Sequence, residues 1–197
     1  MGTNKILRIH GDDGAGKKTL LGRLIYQFGL ELPQLERLER NGVEGYAQLV
    51  SFYEKENITQ SFHTPSSQFV INKNETPDAV IWVVDATELD SGRASSQRLA
   101  SLISAGELQP KGKLLVVVNK MDTANWSEKA FGEIVQTFSS GSLVAAGKTF
   151  IIPISAIKGD NILEAPGEAP WVKSISPGQF AGSELVSALP LVHLLDT

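Results

Sequence analysis

Between the short run Lys5–His10 and the amphipathic stretch TLLGRLIYQFG lies GDDGAGKK, residues Gly11–Lys18. A strand, a glycine-rich turn and a helix in that order describe the first unit of an α/β sheet whose turn wraps backbone N–H groups around a phosphate. The lysine of such a turn, here Lys17, reaches the outer phosphate oxygens. The pattern G-x-x-x-x-G-K-[ST] fails at its last position: Lys18 stands where a hydroxyl would ligate Mg²⁺, and Thr19 comes one residue late. A charged ammonium has donors and no lone pair, so it is no metal ligand. The turn therefore predicts phosphate contacts from Asp13, Gly14, Ala15, Gly16, Lys17, Lys18 and Thr19, puts the usual Mg²⁺ site in question, and assigns no residue to a metal.

A second motif, Asn119-Lys120-Met121-Asp122, follows the β-branched run LLVVV. Such a run reads as a fully buried strand, and ligands of open α/β sheets sit at the carboxyl ends of strands. Asp122 there would accept from guanine N1–H and the exocyclic amine, a paired contact that adenine cannot supply. Asn119 would supplement it, and the stem of Lys120 would lie along base and ribose. Past another buried strand, FIIPISAIKGDN places Ser155, Ala156 and Ile157 where backbone N–H groups could meet guanine O6.

Elsewhere strand-length apolar runs alternate with helical periods, which predicts an α/β domain with a mostly parallel sheet covered on both faces. Pro33–Glu56 is charged and partly helical in period, and Thr59–His63 with Gln68–Asn72 alternates around TPSS as a β-hairpin. Ala79–Val84, Leu114–Val118 and Thr149–Ile154 read as strands. Helices are expected at Ser91–Ala105, at Ser127–Phe138 with Ser127 as its cap, and around Ser183–Leu189 after a proline- and glycine-rich loop, Ala165–Gly182. The 197 residues, 42% of them apolar, suffice for one core and leave no room for a second domain. With no cysteine, disulfides and thiolate metal sites are excluded, which is compatible with a cytoplasmic location. The amino terminus carries no apolar signal stretch, and no run is long enough to span a membrane. A net charge of −4 argues against a broad basic face for nucleic acid.

GKKTLLGRLIYQFG, VIWVVDATE, VVVNKMDTANWSEKAFGEI and PISAIKGDNILEAPGEAPW resemble, in wording and order, the G domain of translation-factor GTPases, the group of elongation factor 1-alpha and the ribosome-rescue GTPase that partners Pelota. The resemblance runs from Lys5 to about Leu189. It implies a P-loop NTPase-like three-layer α/β domain, with a mostly parallel twisted sheet and helices on both faces, that binds GTP or GDP. Residues 1–197 would form a single G domain, without the β-barrel domains that follow in the family. The partners so implied are the guanine nucleotide and a ribosome or a protein of translation or mRNA surveillance.

Three departures from the family bear on activity. Its phosphate loop reads G-H-V-D-x-G-K-S-T, where this chain has Asp12, Asp13 and Gly14 in place of His-Val-Asp and Lys18 in place of Ser. Its D-x-P-G-H segment, which holds Mg²⁺ through water, senses the γ-phosphate and positions the attacking water, has no counterpart here. Phe69–Asn72 is followed by only KNETPD before AVIWVVD. Lys73–Asp78 spans roughly 20 Å when extended, whereas a parallel crossover takes a dozen or more residues. A taut connection or a displaced third strand is therefore expected. Finally, Thr59 matches the family's metal-binding threonine, but Asn57 replaces a glycine before it, and Thr59 is expected to be the first residue of a strand.

Phosphoryl transfer to water relies on positioning and charge neutralisation, so hydrolysis is expected to be slow or absent. His10, His63 and His193 do not occupy the family's catalytic position, and Asp85 is expected only to cap the next segment; no catalytic residue is assigned. The expectation is a guanine-nucleotide-binding interaction module in which Lys18 supplies the charge that Mg²⁺ normally provides. The alternatives are a slow GTPase completed by a partner's catalytic group, and a nucleotide-free scaffold.

Overall fold

The strands β1 (Thr3–Gly11), β2 (Ser61–His63), β3 (Ser67–Ile71), β4 (Ala79–Asp85), β5 (Lys113–Asn119) and β6 (Lys148–Pro153) join in one sheet ordered β2-β3-β1-β4-β5-β6. The computed structural model describes residues 3–139, 148–176, 178–180 and 185–197. Neighbouring strands run parallel except in the β2–β3 hairpin. The helices are α1 (Lys17–Phe28), α2 (Leu32–Arg40), α3 (Tyr46–Lys55), α4 (Leu89–Ser104), α5 (Glu128–Phe138), α6 (Pro170–Lys173) and α7 (Leu191–Asp196).

Every residue of β4 is buried, as are six of the seven in β5, because both faces of these strands are covered. On one face Val80, Trp82, Val84, Val116 and Val118 pack with Leu99 of α4 and Phe131, Ile134 and Phe138 of α5. On the other, Ile81, Val83, Leu115 and Val117 pack with Leu20 and Leu24 of α1 and Leu191, Leu194 and Leu195 of α7. Each such fully buried side chain is worth about 1.5–3 kcal/mol relative to exposure. The Ser127 hydroxyl accepts from Ala130 N at 3.2 Å and caps α5.

The charged stretch after α1 forms α2 and α3, which close on α1 through Leu38, Leu49, Val50 and Tyr53 against Leu21 and Ile25. Gly22 makes this approach possible: a Cβ there would lie 1.9 Å from Tyr46 O.

The short link between β3 and β4 is accommodated by register, which realises the displaced third strand. β3 pairs with Thr3–Leu7 of β1, whereas β4 pairs with Leu7–Gly11, so the two ladders share only Leu7. The chain leaves β3 at the level where β4 begins and crosses β1 sideways, a lateral distance of about 10 Å at normal strand spacing. Arg8 Nη2 holds this link by donating to Lys73 O and Glu75 O, each at 2.8 Å. Asp78 exchanges two bonds with Ile6, accepting from Ile6 N at 2.6 Å and donating its own N–H to Ile6 O at 2.8 Å.

Two expectations need correction. The described residues 185–189 of the anticipated last helix are not helical, and residues 183–184 lie outside the described residues. Val186 instead bridges the free edge of β6: Ile151 N donates to Leu185 O at 2.8 Å and Ser187 N to Ile151 O at 3.1 Å. Pro190 disfavours helix for the residue before it and opens α7 after it. Thr59 is exposed and precedes the strand, which starts at Ser61. The loop expected over 165–182 contains the single turn α6, and residues 177, 181 and 182 of it lie outside the described residues.

Candidate functional site

The chain proceeds from β1 to β2 and β3 on one side and then to β4, β5 and β6 on the other, so the loop after β1 lies where the strand order reverses. This is where open α/β sheets bind ligands. Three segments meet there, and one buried side chain ties them together. Asn119, 3% exposed at the end of β5, donates from Nδ2 to Ala15 O at 2.8 Å and accepts at Oδ1 from Ala156 N at 2.9 Å. The phosphate loop, the Asn119–Asp122 motif and the Ser155–Ile157 loop are thus brought into one site.

In the loop, Gly14 (φ 76°) and Gly16 (φ 96°) take left-handed conformations, and a Cβ on Gly16 would lie 2.4 Å from Asn119 Nδ2. Gly16 caps α1 without a side chain, so the helix presents its first N–H groups outward, with Thr19 half-buried in the first turn. Lys17 Nζ folds onto its own loop, donating to Gly11 O at 2.9 Å and Asp12 O at 2.6 Å.

The two carboxylates of the loop each lie beside a cation. Asp12 pairs with Arg98 of α4, and Asp13 is fully exposed, 3.7 Å from Lys17 Nζ. Lys18 points to α3 and donates to Glu54 Oε2 at 2.7 Å and Ser51 Oγ at 3.3 Å. It must leave those partners to meet a phosphate. His10, beside Lys17, stacks on Trp82 with ring centroids 6.4 Å apart. Burial and the charges of Arg8, Lys17 and Lys73 lower its pKa, so the ring is neutral at pH 7.

On the base side, Asp122 is half-buried and its Oδ1 has neither solvent nor a hydrogen-bond partner among the described residues. Lys120 adopts φ 65°, and its ammonium pairs with Asp85 at the end of β4. Asp85 also accepts from Thr87 N at 2.9 Å and Thr87 Oγ1 at 2.7 Å, which fixes the turn after β4; it does not cap α4, whose N-cap is Glu88. Burial pushes the Asp85 carboxyl up, but the bonds from Lys120 and Thr87 outweigh that and hold it below the usual carboxylate value. The stability this carboxylate contributes is complete above its unfolded value of about 4 and is lost as pH falls through its lower folded value. Asp85→Asn should therefore unfold at lower urea than the parent at pH 7, with the gap closing below about pH 4. Urea titrations at pH 7 and at several values below about pH 4 check this.

Ser155 is fully buried; its Oγ accepts from Lys158 N at 3.1 Å and its N–H donates to Asp160 O at 3.1 Å. Three participants went unassigned from sequence: Arg98, Asp85 as partner of Lys120, and Arg23, which donates to the carbonyls of Ala156 and Ile157. Only Arg23 carried a local signal, as a cation inside the apolar stripe Leu20–Ile25 of α1.

A glycine-rich loop at the switch point, opening a helix and laced to an Asn-Lys-x-Asp strand end, defines a nucleotide-binding domain of the G type. The profile of the ADP-ribosylation factor family matches residues 72–170, half of the chain. Elongation factor 1-alpha of Ignicoccus hospitalis is 30% identical over 88% of this chain and 46% of its own length, and that of Hypocrea jecorina is 26% identical over 93% and 48%. The chain belongs to the GTP-binding G-domain family, in its translation-factor, elongation-factor-like branch. It spans about half the length of the curated relatives it matches. The Hypocrea alignment runs over 226 positions, more than the 197 residues here, so that relative has residues this chain lacks. Among solved structures, Sup35 complexed with GMPPNP superposes with a TM-score of 0.67 at 23% identity, covering 100% of this chain and 45% of Sup35. The Ski7 GTPase-like domain of S. cerevisiae, bound to GDP and inorganic phosphate, gives 0.62 at 19% identity, covering 98% and 49%. These two share the fold. No described helix is long and apolar enough to cross a membrane.

Proposed function

We propose that this domain holds a guanosine di- or triphosphate across the phosphate loop and the Asn119–Asp122 and Ser155–Ile157 segments, cleaves GTP slowly or not at all, and serves as an interaction module in translation or mRNA surveillance. The observation that carries the binding half is Asp122 Oδ1. A buried carboxylate oxygen without a partner is unfavourable by several kcal/mol at most sites, and a guanine edge with two adjacent N–H donors satisfies it. Lys17 would exchange its loop carbonyls for phosphate oxygens, joined by the open N–H groups of α1.

The catalytic half rests on the link from β3 to β4. Asn72–Asp78 crosses β1 directly and is pinned to it by Arg8 and Asp78, leaving no segment to orient a water or sense a γ-phosphate. The residues present do not fit the usual metal position either, since an ammonium replaces the hydroxyl. The interaction-module role rests on the translation-factor branch to which the chain belongs.

Calorimetry with GDP, GTP and ATP, with and without Mg²⁺, tests the binding half. Guanosine phosphates should bind and ATP should not, and Mg²⁺ should strengthen GTP binding less than tenfold. Lys18→Ser should restore metal dependence without restoring cleavage. Silence toward guanosine phosphates at millimolar concentration would favour the nucleotide-free scaffold, and single-turnover cleavage stimulated by ribosomes would favour the slow GTPase.

A further inference from the structure

Arg23 is a buried cation, 7% exposed, with Asp160 within reach of its charge but no ion pair to a carboxylate among the described residues. Its Nε donates to Ala156 O and its Nη2 to Ile157 O, both at 2.5 Å. The Tyr46 ring, at the start of α3, lies 4.4 Å from its guanidinium carbon. Gly159 lies against its other side with φ 91°, and a Cβ there would lie 2.6 Å from Arg23 Nη1. The guanidinium is therefore clamped between α3 and the loop that follows β6, and it holds two successive carbonyls of that loop.

In a trans peptide the C=O and the following N–H point in opposite directions. Fixing Ala156 O toward Arg23 turns the Ile157 N–H away from it, to the other side of the loop. The flanking amides are already engaged: Ala156 N donates to Asn119 Oδ1 at 2.9 Å and Lys158 N to Ser155 Oγ at 3.1 Å. Ile157 N donates to no described residue. We propose that Arg23 is a positioning residue for base recognition, aiming the Ile157 N–H at the six-position oxygen of guanine and linking α3 to that donor through Tyr46. This rests on the guanine-nucleotide reading of the site. Lysine would not replace it, because a point cation lacks the planar fork that spans two carbonyls.

The test compares the Kd of GDP with that of 2-aminopurine riboside diphosphate, which keeps the two-amino group and lacks the six-oxygen, using Arg23→Met, Arg23→Lys and Tyr46→Leu. Arg23→Met should weaken GDP about tenfold, the value of one well-placed hydrogen bond, and change the 2-aminopurine compound less than twofold. Arg23→Lys should recover part of the loss, and Tyr46→Leu, which leaves Arg23 in place, should show a smaller loss with the same selectivity for GDP. Equal weakening of both ligands, or no change in either, would overturn the proposal and assign Arg23 a purely structural role. Should Arg23→Met not fold, the Tyr46→Leu ratio decides in the same way. Failure of the parent protein to bind GDP would remove the guanine reading, and this inference with it, a result distinct from binding with an unchanged ratio.

Discussion

Asp122→Ala should weaken GDP binding by a hundredfold or more while raising the melting temperature of the ligand-free domain. The opposite signs come from one atom. With guanine bound, the carboxylate accepts two charge-assisted hydrogen bonds worth about 1.5–3 kcal/mol each. Without it, Oδ1 is a buried oxygen with no described partner, and removing it relieves about 1–3 kcal/mol, or roughly 2–12 °C for a chain of this size. Asp122→Asn should shift preference to xanthosine diphosphate, since the side-chain amine matches a carbonyl where guanine has an amine. Calorimetry and thermal melts on the same samples check the pair of signs. Binding of GDP by Asp122→Ala within threefold of the parent would sink the assignment.

Much of the architecture could be read from the chain because its two central strands obey a simple rule. AVIWVVD and LLVVVN are apolar on both faces because helices cover both, and the structure buries nearly all of them. The outer half of the sheet obeys another rule that was available and went unused. In β1, Leu7 faces the core shared with α1, whereas Asn4, Ile6, Arg8 and His10 alternate to the opposite face, the first two beside Gln68 and Val70 of β3 and the last two beside Val80 and Trp82 of β4. Polar residues at alternate positions describe a face in contact with water, which is what a sheet lacking a crossover helix between β3 and β4 presents. The short β3–β4 link and the polar alternation of β1 thus occur on the same half of the sheet. Register was out of reach, because the offset of β3 from β4 along β1 depends on where the connector docks, and no residue pattern encodes that directly.

The site was legible to the extent that it is made of local motifs. Glycines at forced conformations and an Asn-Lys-x-Asp after a buried strand carry their geometry with them. Side chains arriving from distant elements do not: Arg98 reaches Asp12 across 86 residues and Arg23 reaches the Ser155–Ile157 loop across more than 130. Charges alone left the effect of Asp12, Asp13 and Lys18 undecided. In the structure each of them faces an opposite charge, with Arg98 on Asp12, Lys17 at 3.7 Å from Asp13 and Glu54 on Lys18.

Asn119→Ala should lower both stability and nucleotide affinity, in contrast to Asp122→Ala. Its side-chain amide is spent on protein: Nδ2 holds Ala15 O and Oδ1 holds Ala156 N, and both of those residues are buried. Truncation strands a carbonyl and an N–H away from water, at about 1–3 kcal/mol each. A fall in melting temperature of roughly 4–24 °C is expected. The phosphate loop also loses the contact that fixes its position beside Gly16, so GDP and inorganic pyrophosphate should weaken together. In Asp122→Ala only the base-bearing ligand should weaken. Paired titrations of the two variants with GDP and pyrophosphate therefore separate the residue that assembles the site from the one that reads the base. A melting temperature for Asn119→Ala within 2 °C of the parent would show that the three segments are held together by other means, since the expected loss follows from the two buried bonds alone.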